Sequence, residues 1–238
     1  MKKSRLNFNF KFNLIFTLVL LLTTGCMLTN RATPLPPPAL SDWVTRFFDE
    51  GVCELPCWEG ITPGETTIYE AMDILRNSPI YRNVDDPVEV ENRPLNYLSI
   101  GWQTSQGNGG GMAWSYQGGE TISIITLALY NESPKITLTD ILSSFGDPDS
   151  LMIENVRGNI CVAHIFYPEK VMEIKLIESC NNKSMRLEAQ SEIYEASLFP
   201  LNSPNFPEIK GWLPDVQRYL ADWNGYGKYM VTKDSRFN

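Results

Sequence analysis

Histidine is almost missing from this chain: a single residue, His164, stands among 238. A metal site built on several imidazoles is therefore excluded. Basic residues are also scarce, 20 Lys and Arg against 28 Asp and Glu, for a formal charge of −8. No basic stripe is available to neutralise phosphates, so no nucleic-acid partner is expected. Catalytic signatures are missing too: there is no G-x-S-x-G elbow, Walker loop, G-x-G-x-x-G after a strand, or HExxH. The run Gly107–Gly111 lacks the Lys and the following helix of a phosphate cradle and reads as a hairpin tip. His164 lies mid-strand in Ala163-His164-Ile165-Phe166 and reads as a strand residue rather than a general base. Asp147 and Asp149, like Asp85 and Asp86, are explained by turn chemistry before cation binding. No catalytic residue, metal or cofactor is expected. What is present is globular: 43% hydrophobic residues, 20% charged, 16 Gly and 16 Pro.

The N-terminus reads as an address. Lys2, Lys3, Arg5 and Lys11 precede the apolar run Leu14–Leu22, whose nine residues fall well short of the roughly 20 needed to span a bilayer. A cleaved signal fits this pattern better than an anchor. Thr23-Thr24-Gly25-Cys26 follows, and Gly25-Cys26 resembles the lipobox of bacterial lipoproteins, although Thr23 stands where that family usually has Leu. The resemblance implies cleavage before Cys26 and lipidation of that cysteine. An uncleaved anchor and an ordinary secreted protein are the alternatives. Loss of residues 1–25 removes four basic and no acidic residues. It leaves 213 residues with 16 basic against 28 acidic, a formal charge of −12. Such a body does not adhere to an anionic leaflet, so the membrane partner would be reached through the N-terminal lipid. Residues 26–40, with Thr33-Pro34-Leu35-Pro36-Pro37-Pro38, read as a Pro-rich tether.

With Cys26 lipidated, four cysteines remain, and an even number outside the cytosol suggests two disulfides. Proximity favours Cys53–Cys57 and Cys161–Cys180. Ile160–Tyr167 and Val171–Ile177 read as strands around a turn near Pro168-Glu169. A three-residue loop, 168–170, sets Cys161 opposite Ile177 and turns Cys180 away. A four-residue loop, 169–172, sets Cys161 opposite Cys180. The spacing of Cys53 and Cys57 is one residue longer than a thioredoxin-type motif, which favours a structural bond over redox chemistry or zinc.

An internal match at an offset of 70 organises residues 41–238, read as a single α+β domain. Thr67–Leu75 aligns with Thr137–Phe145. Each segment opens on a Thr N-cap with an acid three residues on, Glu70 as a full capping box and Asp140 as a shorter variant. Each carries apolar residues at i, i+3, i+4 and i+7 and ends on a breaker, Asn77-Ser78-Pro79 or Gly146-Asp147-Pro148. Strand-like runs follow each helix: 97–103, 112–116 and 121–130, then 151–156, 160–167, 171–177 and 185–194. Short connections imply antiparallel meanders. The expected architecture is thus two helix-plus-meander repeats, about 57–135 and 136–200, flanked by terminal helices. One such helix is capped by Ser41 and carries Trp43, Val44, Phe47 and Phe48. Another lies in a C-terminal helical segment, 201–238, with Leu213, Val216, Leu220 and Trp223 as its stripe.

Gly60-Ile61-Thr62-Pro63-Gly64-Glu65-Thr66-Thr67 before the first helix resembles the lead-in of small outer-membrane assembly lipoproteins of the SmpA/OmlA type. Gly146-Asp147-Pro148 is similar to their close. The tandem arrangement resembles beta-lactamase-inhibitor-like proteins, and Cys53-Glu54-Leu55-Pro56-Cys57-Trp58 is similar to a motif of bacterial lipoproteins. These resemblances imply an interaction module rather than an enzyme.

Aromatic residues are the remaining lead. Trp102 and Trp114 each lie six residues from Asn108, which places them opposite one another across a hairpin, with Tyr116 on the face of Trp114. They form a core pair or an exposed platform for a protein or glycan partner. The expected function is therefore a membrane-anchored, extracytoplasmic, non-catalytic binding or envelope-assembly module. The competing expectation is an envelope enzyme, redox through Cys53 and Cys57 or hydrolytic.

Overall fold

The computed structural model describes residues 42–48, 53–92, 95–105, 109–116, 119–181, 183–201 and 219–234. The signal segment, Cys26 and the Pro-rich tether lie outside the described residues, as do 202–218. No helix among the described residues is long and apolar enough to cross a membrane.

The fold is α+β. Helix α1 (Asp42–Phe48) buries Trp43, Val44 and Phe47. Helix α2 (Ile68–Asn77) starts at Thr67, whose hydroxyl accepts from the Glu70 N–H at 3.2 Å while the Thr67 N–H donates to the Glu70 carboxylate at 2.9 Å. These bonds hold the Glu70 carboxyl below the usual carboxylate range. Helix α3 (Leu138–Phe145) starts in the shorter way, with the N–H and hydroxyl of Thr137 both donating to Asp140 at 2.8 Å. It stops at Gly146, whose φ of 78° favours glycine, and whose carbonyl accepts from the Tyr167 hydroxyl at 3.0 Å. The buried positions, Ile68, Ala71 and Leu75 in α2 and Leu138 and Ile141 in α3, are those of the apolar stripes.

The strands after α2 are β1 (Tyr81–Arg82), β2 (Val88–Asn92), β3 (Leu95–Thr104), β4 (Gly110–Tyr116) and β5 (Ile124–Ala128). After α3 come β6 (Ser150–Arg157), β7 (Ile160–Tyr167), β8 (Met172–Asn181), β9 (Ser184–Leu187) and β10 (Ile193–Leu198). Three short strands close the chain: β11 (Ala221–Asp222), β12 (Gly227–Met230) and β13 (Lys233–Asp234). Across the sheet the order is β1-β3-β4-β5-β10-β8-β7-β6-β11, with β2 also on the outer side of β3. Among the named strands the only parallel pairing is β13 on β6. The first meander meets the second where β5 pairs antiparallel with β10.

Each helix start is stitched to the strand that ends its meander. The Ile68 N–H donates to the Glu120 carbonyl at 2.8 Å and the Ile122 N–H to Thr66 at 2.9 Å. In the second half the Leu138 N–H donates to the Ser191 carbonyl and the Ile193 N–H to Ile136, each at 2.9 Å.

The main core lies between the helices and one face of this sheet. Trp58 is its wedge, 3% exposed and stacked on Trp102 with centroids 5.4 Å apart. The tight turn Trp58-Glu59-Gly60-Ile61, with positive φ at Glu59 and Gly60, presents it, and the Cys53–Cys57 disulfide closes the loop just before it. Trp102 in turn lies over Gly111, its cross-strand partner. A Cβ at Gly111 would stand 2.4 Å from the Trp102 ring and 2.6 Å from the Thr126 carbonyl oxygen. Gly109 is pressed in the same way by Trp43, whose indole N–H donates to the buried Glu132 at 3.0 Å. The glycine run therefore does more than form a hairpin tip: Gly110 and Gly111 are strand residues, Gly111 under the Trp102 ring and Gly110 against the Trp102 main chain.

Cys161 and Cys180 are also bonded, with Cα atoms 5.7 Å apart. Neither expected loop joins their strands. Tyr167 pairs with Met172 across residues 168–171, which sets Cys161 opposite Glu178. Cys180 is then the diagonal neighbour of Cys161 on the same face, within reach of a disulfide. A second correction falls in 201–238: Leu213 and Val216 of the expected stripe lie outside the described residues, but beyond Leu220 the chain is extended. Residues 221–222, 227–230 and 233–234 are strands, because Tyr229 enters the core beside Trp223 and β12 pairs with β9.

Gly111→Ala should destabilise the protein by about 1–3 kcal/mol through overpacking against Trp102. Gly119→Ala, whose Cβ would come no nearer than 3.3 Å to the Tyr116 carbonyl oxygen, should change stability by less than about 1 kcal/mol. Urea unfolding of the two variants checks the difference.

Candidate functional site

Side chains alternate along each strand, so the sheet has a helix-covered face and an opposite face. Trp102 and Trp114 are divided between them. Trp102 pairs with Gly111, and Trp114 with Ser99, three residues away from the register that would oppose the two indoles. Trp102 is 4% exposed and belongs to the helix-side core. It is not part of a platform. Trp114 and Tyr116 do share a face, on the opposite side, where Tyr97 lies 6.0 Å from Trp114 and 6.3 Å from Tyr116. All three are half-buried, and Trp114 and Tyr116 pack on Ile124, Val171 and Phe199. Burial pushes the Tyr116 hydroxyl above its ordinary range, and neighbouring Tyr97 adds to this.

Farther along the same face one cross-strand row carries Gly110, Ala128, Glu195, Lys175, His164 and Met152. His164 is 7% exposed. Its Nδ1 lies 2.6 Å from Glu173 Oε1, and its Nε2 lies 3.4 Å from Glu154 Oε2. Lys175 Nζ pairs with Glu195 and stands 3.9 Å from Glu173. Burial alone would push the imidazole down, but its hydrogen bonds to Glu154 and Glu173 and the charge of Glu173 outweigh that and raise it. The ring therefore holds its proton to higher pH than a free imidazole. With a carboxylate facing each nitrogen, it presents no free base to a substrate.

The face is concave at one end of this row. A groove of about 370 Å³ is lined by Gln103, Met112, Tyr130, Asn131, Tyr194 and Glu195, among others. A β-bulge builds it. Ile193 pairs with Leu176 and Glu195 with Lys175, so Tyr194 has no partner on β8. A bulge re-aims the side chains around it, and here it sets Tyr194 beside Glu195 on the groove. Tyr194 stacks on Tyr130 with centroids 4.7 Å apart and planes 13° apart. The carbonyl of Tyr194 accepts from the N–H groups of both Leu129 and Tyr130, at 3.0 and 3.1 Å. The sequence placed both tyrosines at strand ends and gave no sign that they meet, because a bulge leaves no mark in hydrophobic alternation.

One acid of each pair seen in the sequence has a side-chain partner. Asp86 accepts from Arg76 at 2.8 Å, and Asp147 accepts from the Trp223 indole at 3.3 Å. Among the described residues no group of three or more His, Cys, Asp or Glu is arranged to hold a metal ion. The geometry defines an α+β body with one face closed by helices and a groove on the other. No family model, curated protein or solved structure matches the chain.

A group whose folded pKa is raised stabilises fully below its unfolded pKa and loses that contribution as pH rises through the folded one. Stability that depends on His164 should therefore decline as pH climbs from about 6.5, the ordinary imidazole value. His164→Gln should melt lower at acidic to neutral pH, show a flatter decline, and approach the wild type as pH rises. Melting temperatures measured across that range check this.

Proposed function

We propose that this chain is an extracytoplasmic lipoprotein, held at the membrane by a lipid on Cys26 and a Pro-rich spacer, whose α+β body binds another envelope component without catalysing a reaction. The observation that carries the binding reading is the opposite face of the sheet. A bulge there interrupts the regular ladder beside a groove lined by aromatic and polar side chains, Glu195 among them. The groups nearest to a catalytic set, His164 with Glu154 and Glu173, face one another instead of that groove. The two disulfides fit an oxidising, extracytoplasmic compartment.

The body is further read as two copies of one unit, 57–135 and 136–200, each a helix followed by four antiparallel strands. In that reading β2, β3, β4 and β5 correspond to β6, β7, β8 and β10, and the sheet order runs outward from the β5–β10 pair in mirror sequence. The matching bonds at the two helix starts support it: Ile68 to Glu120 with Ile122 to Thr66, and Leu138 to Ser191 with Ile193 to Ile136. This tandem arrangement is the one on which the resemblance to beta-lactamase-inhibitor-like proteins rests.

Growth with a labelled fatty acid should mark the wild-type protein and leave Cys26→Ser unmarked; label on both would end the lipoprotein reading. The immobilised full chain should retain an envelope component, protein or carbohydrate. Met112→Lys, which places a charge at an exposed position of the groove, should release it. Retention unchanged by that substitution, or no retention at all, would reject the binding module at this face.

A further inference from the structure

We infer that the groove beside Tyr194 is a carbohydrate site that takes an uncharged polysaccharide chain. This rests on the binding-module reading and names the ligand class of its site.

The aromatic element is built before any ligand arrives. Alternation from Ala196 back through Glu195 would send residue 194 toward the helix side, where Ala196 and Ile193 are buried. The extra residue of the bulge sets Tyr194 on the groove instead. Tyr130 stacks on it nearly parallel and keeps 41% of its own surface exposed. Both main chains are tied together through the Tyr194 carbonyl. A flat ring held this way needs little ordering on binding and matches the C–H face of a pyranose.

The polar element is neutral. Gln103 Oε1 already accepts from the Asn83 amide at 2.9 Å, which fixes the Gln103 amide and leaves its NH₂ to donate. Asn131, exposed at the rim, offers both a donor and an acceptor. Such groups suit hydroxyls and N-acetyl amides rather than ionised ligands.

The charge element excludes polyanions. Among the described residues Glu195 is the one charged side chain that lines the groove, and Lys175 is paired with it. No cation among the described lining residues faces a uronate or a phosphate, and the whole chain carries a formal charge of −8. A chain rich in carboxylates or phosphates would find no free cation in this lining and would be repelled by the net negative charge.

The test is a calorimetric titration of the full chain, solubilised in a zwitterionic detergent, with three probes: cellotetraose, chitotetraose and tetragalacturonate. At least one of the two neutral tetrasaccharides should bind, and tetragalacturonate should not. Tyr130→Ala should weaken binding by about tenfold or more, while Tyr130→Phe, which keeps the ring, should stay within about threefold of the wild type. Circular dichroism and melting of Tyr130→Ala establish that it folds. Should it fail to fold, Gln103→Ala at an exposed strand position decides, with an expected loss of about threefold or more. Silence of both neutral sugars, equal binding of tetragalacturonate, or undiminished binding by Tyr130→Ala would overturn the proposal. A protein retained through Met112 without any saccharide binding would remove the glycan and leave the binding module standing.

Discussion

The molecule depends on one line of backbone pairing, β5 against β10. It joins strands that belong to different meanders and makes one sheet of them. Separately, each meander would have a single short helix to cover it, too little apolar burial for an independent core. Joined, they share one. On the helix side the seam sets Ile125 beside Leu198 and Leu127 beside Ala196, all fully buried. On the opposite side Thr126 and Ser197 meet with their hydroxyls 3.2 Å apart. The groove lies where this seam runs out: Ala128 is the last residue of β5, and the bulge at Tyr194 falls just beyond its partner Glu195.

The charged row on the opposite face acts on register more than on net stability. Buried polar groups are costly unless paired, so they penalise any arrangement that separates them. A slip of one residue between β7 and β8 would turn one of the two strands over, sending His164 toward the helices and Ile165 outward if it were β7, and so part His164 from Glu173. The Cys161–Cys180 bond fixes the same pair of strands from the helix side. The two devices hold one hairpin from its two faces, and that hairpin supplies the Lys175 that pairs with Glu195 at the groove.

What could be read from the sequence was what is local. The two central helices were legible because an N-cap Thr, an acid three residues on and a 3-4 apolar spacing all fall within nine residues. Strand β7 was legible as an apolar run, and the cysteine partners followed from their number and proximity. Registers were not legible. The hairpin of β7 and β8 and that of β3 and β4 each depend on turn geometry and on what packs beneath. Gly111 has its place in the ladder because Trp102 covers it, a contact no spacing announces. That shift of three residues separated Trp102 from Trp114, leaving Trp102 in the core and ruling out a platform shared by the two. Strands β1 and β2 were missed because Tyr81–Arg82 and the polar run around Glu89 take their extended form from pairing with β3. The tyrosine pair was missed for the reason that makes it useful: an irregularity in the strand put it there.

The outermost strands carry a consequence of their own. A sheet with bare margins recruits further strands, and a protein crowded in two dimensions by a lipid anchor, as proposed here, would be exposed to that hazard. Here both long boundary strands are already occupied. The outer side of β3 is taken by β1 and β2, and that of β6 by β11 and β13. These covering strands run from two to five residues and carry exposed charges such as Arg82, Glu89 and Asp222. They end the ladder with segments too short and too hydrophilic to template another, so copies packed side by side would lack a ready route to fibre growth.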